Sequence, residues 1–216
     1  MLRSEHIPFN LFIPFKKDPI FCKQVFNEIL GNIESIDTIA IEYAPPHKAL
    51  YLNDRTSFDT YIKYTHSDHT KGVIGIEVKY TEKEYKLTNP KEAKEIDDKN
   101  GRYHEVTEKS NLYKSNEYIE RLKKDEFRQI WRNHLLAESI LLVDDTFNHA
   151  HSLIFYPKDN EHFTNVGNEY AEMLADNTDR KFGLVTYEDF IEICRKYCPN
   201  DAFKNWIDYL QDRYII

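Results

Sequence analysis

Two runs, SFDTYIKY (57–64) and GVIGIEVKYTE (72–82), decide how this chain is read. Both alternate with period two, so both are predicted as strands. In the second, Ile74, Ile76, Val78 and Tyr80 fall on one face, and Glu77 and Lys79 point together to the other. In the first, Phe58, Thr60, Ile62 and Tyr64 are expected to share a face, with Asp59 opposite. A polar turn within 66–71, centred near Asp68, folds the runs into a hairpin and brings Asp59 level with Glu77 to Lys79. Two carboxylates and one ammonium on a small patch of sheet suit a divalent cation beside an activated water. The same alternation arises in any antiparallel hairpin with one wet face, where Asp, Glu and Lys are ordinary solvent-side residues. Two details favour the chemical reading. The second run is nearly uninterrupted in apolar residues, as a central strand is, and Asp is disfavoured within strands.

Asp59 followed by Glu77-Val78-Lys79 resembles the D…(D/E)-x-K core of the PD-(D/E)XK nuclease superfamily, and GIEVKYTE (75–82) is similar to a bacterial PD-(D/E)XK nuclease-like branch of it. Further matches are FNLF (9–12), IEY (41–43) and QIWRNHLL (129–136), so the resemblance runs from Phe9 to Leu136. The proline of the superfamily's name is absent, Phe58 standing before Asp59. The resemblance implies an α/β, restriction-endonuclease-like αβββαβ core, a central mixed sheet flanked by helices. It also implies a metal-dependent nuclease that hydrolyses phosphodiester bonds of nucleic acid, DNA being the first expectation. Asp59 and Glu77 would then ligate Mg²⁺ or Mn²⁺, with the Val78 carbonyl completing the shell and Lys79 orienting and helping to deprotonate the water. Glu42 is the first candidate for a third acid and Glu5 the second. Gln129 and Arg132 would face substrate or the catalytic carboxylates, an Arg suiting a phosphodiester; without the resemblance both read as surface residues.

Two other classes compete. A nuclease fold kept as a nucleic-acid-binding or assembly module, without turnover, is disfavoured by the intact Asp-Glu-Lys set. A different metal hydrolase built on His149 and His151 rests on two histidines two apart at a strand start, a weak signal.

At 216 residues, 41% hydrophobic and 14% aromatic, the chain suits one well-buried domain over 1–216. The formal charge of -8 argues against indiscriminate binding to nucleic acid, because polyanion affinity comes from neutralising phosphates. Net charge is a poor judge of one cleft. Cys22, Cys194 and Cys198 form no even framework, which implies reduced thiols in a cytoplasmic protein. No secretion signal and no membrane-length apolar run is seen. Cutting both strands of a duplex would favour a homodimer, but nothing in the sequence shows one.

Outside the hairpin, a first helix within 4–15 is limited by Pro8 and Pro14. Asp18 as N-cap, Pro19 at the first position and Gly31 as a stop bound the next. A strand over 35–43 is expected to put Ile36, Thr38, Ala40 and Glu42 on one side and Ile41 on the other. In the loop over 45–56, His47, Lys48 and Arg55 either reach a phosphate or solubilise the loop, the second being favoured. Residues 83–124 shift to charges of both signs and read as a solvated insertion, a lid or a decoration. The clearest helix spans 125–142, with Phe127, Ile130, Trp131, His134 and Leu135 on one stripe and Gln129, Arg132 and Asn133 on another. His134 there reads as a satisfied core histidine. A strand over 151–156, a helix over 161–174, a short strand near 182–185 and a helix over 187–196 follow. The C-terminal helix carries Phe203, Trp206, Ile207, Leu210 and Tyr214 on one stripe, core rather than a dimer face.

Overall fold

The computed structural model describes residues 6–81, 86–176 and 180–215. Glu5 lies outside them. The described residues form one five-stranded sheet in the order β1-β2-β3-β4-β5: β1 Ile33–Tyr43, β2 Phe58–His66, β3 Lys71–Val78, β4 Phe147–Tyr156 and β5 Arg180–Thr186. β1 to β3 pair antiparallel, and β3 to β5 pair parallel. Helices α1 Ile7–Phe12 and α2 Pro19–Leu30 precede the sheet; α3 Pro90–Asp97, α4 Arg102–Ser110, α5 Ile119–Leu122 and α6 Asp125–Val143 lie between β3 and β4. α7 Glu161–Met173 joins β4 to β5, and α8 Tyr187–Lys196 and α9 Asp201–Tyr214 close the chain. The expected α/β, αβββαβ order is therefore present, carried by α2, β1, β2, β3, α6 and β4.

Each sheet face buries its own core. On one face, Ile62, Ile74, Ile76 and Val78 meet Phe12, Phe26, Phe190 and Leu210 from the terminal helices. On the other, Val73, Ala150 and Ile154 meet Tyr103, Phe127, Trp131 and Tyr170. Local chemistry sets the helix ends: Asp18 accepts from the Phe21 N–H at 2.9 Å, and Gly31 stops α2 at φ 81°, a left-handed value that costs glycine little. In α9, Ile207, Leu210 and Tyr214 are buried, and Trp206 packs edge-on to Phe15, so this stripe belongs to the core.

Three expectations need correction. Phe58 does not share the face of Ile62 and Tyr64. It packs with Tyr61 in the second core, over Gly75, where a Cβ would come within 2.3 Å of its ring. Ile36 packs on the same core as Ile39 and Ile41, because register shifts in the β1–β2 ladder change the parity of the strand, so Ile36 and Ala40 face opposite ways. Residues 86–124 are not a solvated excursion. Ile96, Tyr103, Val106, Leu112 and Leu122 are buried in the second core, spaced too sparsely among charges to show as a stripe.

One buried polar network fastens this segment down. The Arg132 guanidinium on α6 donates to Asp54 Oδ2 at 2.9 Å, Thr56 Oγ1 at 2.8 Å, the Tyr103 hydroxyl at 3.0 Å and Glu92 Oε2 at 3.4 Å. The Tyr103 hydroxyl donates in turn to Asp54 Oδ2 at 2.5 Å. The β1–β2 loop, α3 and α4 are thus tied to α6 through one planar cation, a task for which its fork of five donors is suited. Arg132→Ala would strand Asp54 in the interior, at a cost of about 3–5 kcal/mol. The expected fall in Tm is on the order of 10 °C, only part of it recovered in Arg132→Lys; an unchanged Tm for Arg132→Ala would remove the network from the account of stability.

A pH dependence is built into β4. His151 Nδ1 accepts from the Lys181 N–H at 3.0 Å, so Nε2 carries the proton and donates to the Tyr64 hydroxyl at 2.8 Å. A second proton would face another N–H in the interior. Burial, then nearby positive groups, therefore pull the His151 pKa from its ordinary 6.5 to about 3. The unfolded chain takes up this proton below pH ~6.5 and the folded chain does not, so the stability is present above pH ~6.5 and lost as pH falls toward 3. Between pH 7 and 4.5, wild type should lose about 2–3 kcal/mol more than His151→Gln in urea titrations. Equal losses would show that His151 is not held neutral.

Candidate active site

α6 presents two faces because its sequence carries two stripes. Phe127, Ile130 and Trp131 are buried in the second core, while Gln129 and Asn133, at i and i+4, turn toward the end of β3. There the ladder with β2 stops: the last registered pair is Thr60 with Ile76. Beyond it the Val78 N–H donates to Asp59 Oδ2 at 2.7 Å, a carboxylate standing where a β2 carbonyl would otherwise be. The N–H and C=O of one extended residue point to the same edge, so the Val78 carbonyl lies on the Asp59 side. On the opposite edge the Lys79 N–H continues the pairing with β4 through the Phe155 carbonyl at 2.8 Å.

Glu77 and Lys79 point to the α6 side, each only 5% exposed, with Nζ 2.6 Å from Glu77 Oε1. Gln129 Nε2 donates to the same oxygen and Asn133 Nδ2 to Oε2. A buried carboxylate without partners is costly, and these three donors offset that cost while fixing the rotamer. Asp59 is half-buried. Burial and then the Glu77 carboxylate push its pKa up to about 8; the Val78 N–H and Lys79 pull the other way, and Glu42 adds a small upward push. A cleft of about 280 Å³ opens before the acids, its walls including Arg55, Ser57, Asp59, Glu77, Gln129 and Asn133. Lys79 stands one hydrogen bond behind Glu77. A larger cavity of about 550 Å³ beyond Tyr80 is lined by Asp159, Glu161, His162 and Glu188.

The donor set fits a hard divalent cation. Among the described residues Asp59 Oδ1 has no protein donor, and burial beside the Glu77 carboxylate pushes the Asp59 pKa up, a penalty that a bound cation would remove.

The structure brings together Asp59, Glu77, Lys79 and Gln129, with the Val78 carbonyl at the same edge. Glu42 is exposed at φ 55°, between residues that pair with Thr60 and Phe58, so it stands opposite Asp59 without lining the cleft. Arg132 reaches the cleft wall, but the bonds described above run to Asp54, Thr56, Tyr103 and Glu92, not to the acids at the end of β3. Asn133 is the partner of Glu77 that sequence reasoning left unassigned; its signal was the i, i+4 spacing from Gln129. His149 and His151 do not form a metal pair, since both ring nitrogens of His151 are engaged. Cys22 and Cys194 are buried free thiols whose pKa burial pushes up, and Cys198 donates to the Asn200 carbonyl. Among the described residues no helix is long and apolar enough to cross a membrane.

No curated protein and no solved structure matches the chain. A family model described as the PD-(D/E)XK nuclease superfamily matches residues 1–216, its whole length. With a five-stranded mixed sheet flanked by helices and an acid on each arm of the central hairpin, the chain belongs to the PD-(D/E)XK nuclease superfamily.

Proposed function

We propose that the cleft between β3 and α6 is the active site of a metal-dependent nuclease that hydrolyses phosphodiester bonds of nucleic acid, DNA in the first instance. The observation that carries this reading is the meeting of Asp59, Glu77 and Lys79 at the point where the β2–β3 ladder ends. Asp59, Glu77 and the Val78 carbonyl would hold Mg²⁺ or Mn²⁺, hard cations that prefer oxygen. When bound, the cation supplies Lewis acidity to a phosphoryl oxygen and lowers the pKa of a coordinated water.

The chain's own residues do the rest. Lys79 Nζ, anchored on Glu77, retains two further protons to hold the attacking water and to offset charge that grows on the phosphoryl oxygens. Gln129 and Asn133 keep Glu77 in one orientation, so the geometry is set before substrate arrives. Arg55 is exposed and lines both this cleft and a neighbouring cavity of about 320 Å³ that carries His47 and Lys48. That placement suits contacts to phosphates flanking the scissile one, so these loop residues take the phosphate-binding role over the solubilising one.

Asp59→Ala, Glu77→Ala and Lys79→Ala should each reduce Mg²⁺- or Mn²⁺-dependent cleavage of plasmid and single-stranded DNA by a hundredfold or more, roughly, with unchanged far-UV circular dichroism. Lys79→Met serves where the smaller side chain disturbs packing. EDTA should stop cleavage and added metal restore it. Gln129→Ala, which touches Glu77 and no reacting atom, should cost about 10–100-fold. Full activity in Glu77→Ala, or cleavage indifferent to chelation, would overturn the assignment.

A further inference from the structure

At the other end of β2 the sheet builds a second cluster of metal-ligating side chains. His66 is seven residues beyond Asp59, roughly 23 Å along an extended strand. Gly72 on β3 pairs with Tyr64 on β2 and with His149 on β4. It has to be glycine, because a Cβ there would lie 2.2 Å from the Tyr64 ring. With that side chain missing, residues of β2 and β4 meet across the strand between them: Tyr64 bonds His151, and the His66 ring stacks on His149 with centroids 3.9 Å apart. The β2–β3 turn then brings Asp68 over both rings. Its Oδ1 is 2.9 Å from His66 Nδ1 and its Oδ2 is 3.3 Å from His149 Nε2.

We propose that His66, Asp68 and His149 form a zinc site, separate from the nuclease cleft, that fastens the β2–β3 turn to β4. Each of the three offers one ligand atom, and these atoms lie within 4.8 Å of one another. Two bonds of about 2.0–2.1 Å meeting at a tetrahedral angle place their ligand atoms roughly 3.4 Å apart, and each ring nitrogen has a different Asp68 oxygen near that distance, Oδ1 2.9 Å from His66 and Oδ2 3.3 Å from His149. Two imidazole nitrogens and a carboxylate oxygen suit Zn²⁺, whereas Mg²⁺ and Mn²⁺ prefer oxygen alone. The surroundings are those of a prepared site. Thr70 holds Asp68 Oδ1 through its N–H at 2.9 Å and its hydroxyl at 2.5 Å, and that hydroxyl also lies 3.0 Å from His149 Nε2. The two bonds from Thr70 to Asp68 orient that ligand before the ion arrives, whereas the Thr70 hydroxyl on His149 Nε2 and the Asp68 N–H on His66 Nδ1, 3.3 Å away, are contacts that the ion would replace. His149 is 5% exposed while the Asp68 side chain is 50% exposed, so the ion would be gripped from the sheet and open to water on the turn side.

The test uses the full chain, stripped with chelator and titrated with Zn²⁺, with Co²⁺ as a visible-absorbing substitute. One Zn²⁺ per chain should bind, raising Tm by about 5–10 °C at a hundredfold excess over Kd. His149→Ala and Asp68→Asn should each weaken binding by roughly a hundredfold and abolish the four-coordinate Co²⁺ spectrum, while Glu77→Gln and Cys198→Ser bind as wild type does. Asp68→Asn alters only an exposed turn residue, so it carries the test if His149→Ala fails to fold. It should also leave Mg²⁺-dependent cleavage unchanged, and because the readout is Zn²⁺ affinity the result stands whether or not the cleft is a nuclease. Absence of saturable binding, binding that survives both ligand variants, or binding lost in Glu77→Gln or Cys198→Ser would each overturn the site.

Discussion

The bond from the Val78 N–H to Asp59 Oδ2, 2.7 Å long, is the contact on which the site depends. β3 runs two residues beyond the Ile76–Thr60 pair, the last in its ladder with β2. A buried backbone N–H left there without an acceptor would cost about 1–3 kcal/mol. The side chain of Asp59 supplies the acceptor and so keeps a carboxylate at the edge of the sheet, beside Glu77, where the backbone alone would have put a neutral carbonyl. One oxygen of Asp59 meets a structural need, and the second oxygen of the same carboxyl faces the cleft.

Keeping two acids together in a half-dry cleft is locally unfavourable. The effective penalty for burying an ion is several kcal/mol, and a like charge nearby adds to it, which is why the Asp59 carboxyl holds its proton to about pH 8. Lys79, Gln129 and Asn133 place three donors on the two oxygens of Glu77. The scaffold around this pair is correspondingly rigid: Trp131 and Phe127 hold α6 against the sheet, and Arg132 locks the loop that carries Asp54 to Thr56.

The hairpin and its acids were legible because both rest on short-range rules. Period-two alternation, a polar turn and the E-x-K spacing lie within 26 residues, from Ser57 to Glu82. What escaped was set by contacts distant in sequence. Arg132 meets Asp54 across 78 positions, and no local pattern tells a surface arginine from one whose carboxylate arrives from another loop. Helices α3 and α4 have mostly polar residues with a few deeply buried ones, such as Ile96 and Tyr103, so their burial shows only once α6 is in place. Ile36 lies on the unexpected face because parity fails where the β1–β2 ladder shifts register, and that shift has no signature of its own in the sequence; the packing of Phe58 over Gly75 is likewise invisible from alternation. His149 stands two residues from His151 in sequence, whereas its ring neighbour is His66, on a strand that is not adjacent.

β3 is the place where all of this can happen because it alone has an antiparallel neighbour on one edge and a parallel one on the other. An antiparallel partner begins where β3 ends, so its first residues, Phe58 and Asp59, necessarily lie beside the C-terminal end of β3. A parallel partner needs a crossover, and the crossover helix α6 must pass over the same end on its way back to β4. The hairpin therefore delivers one acid, the strand itself a second acid and an amine, and the crossover the side chains that orient them. With strands all parallel, the Asp59 arm would lie at the far end of the sheet; with strands all antiparallel, α6 would not be required to cross there. The mixed topology is what makes three separate stretches of chain converge on the end of β3.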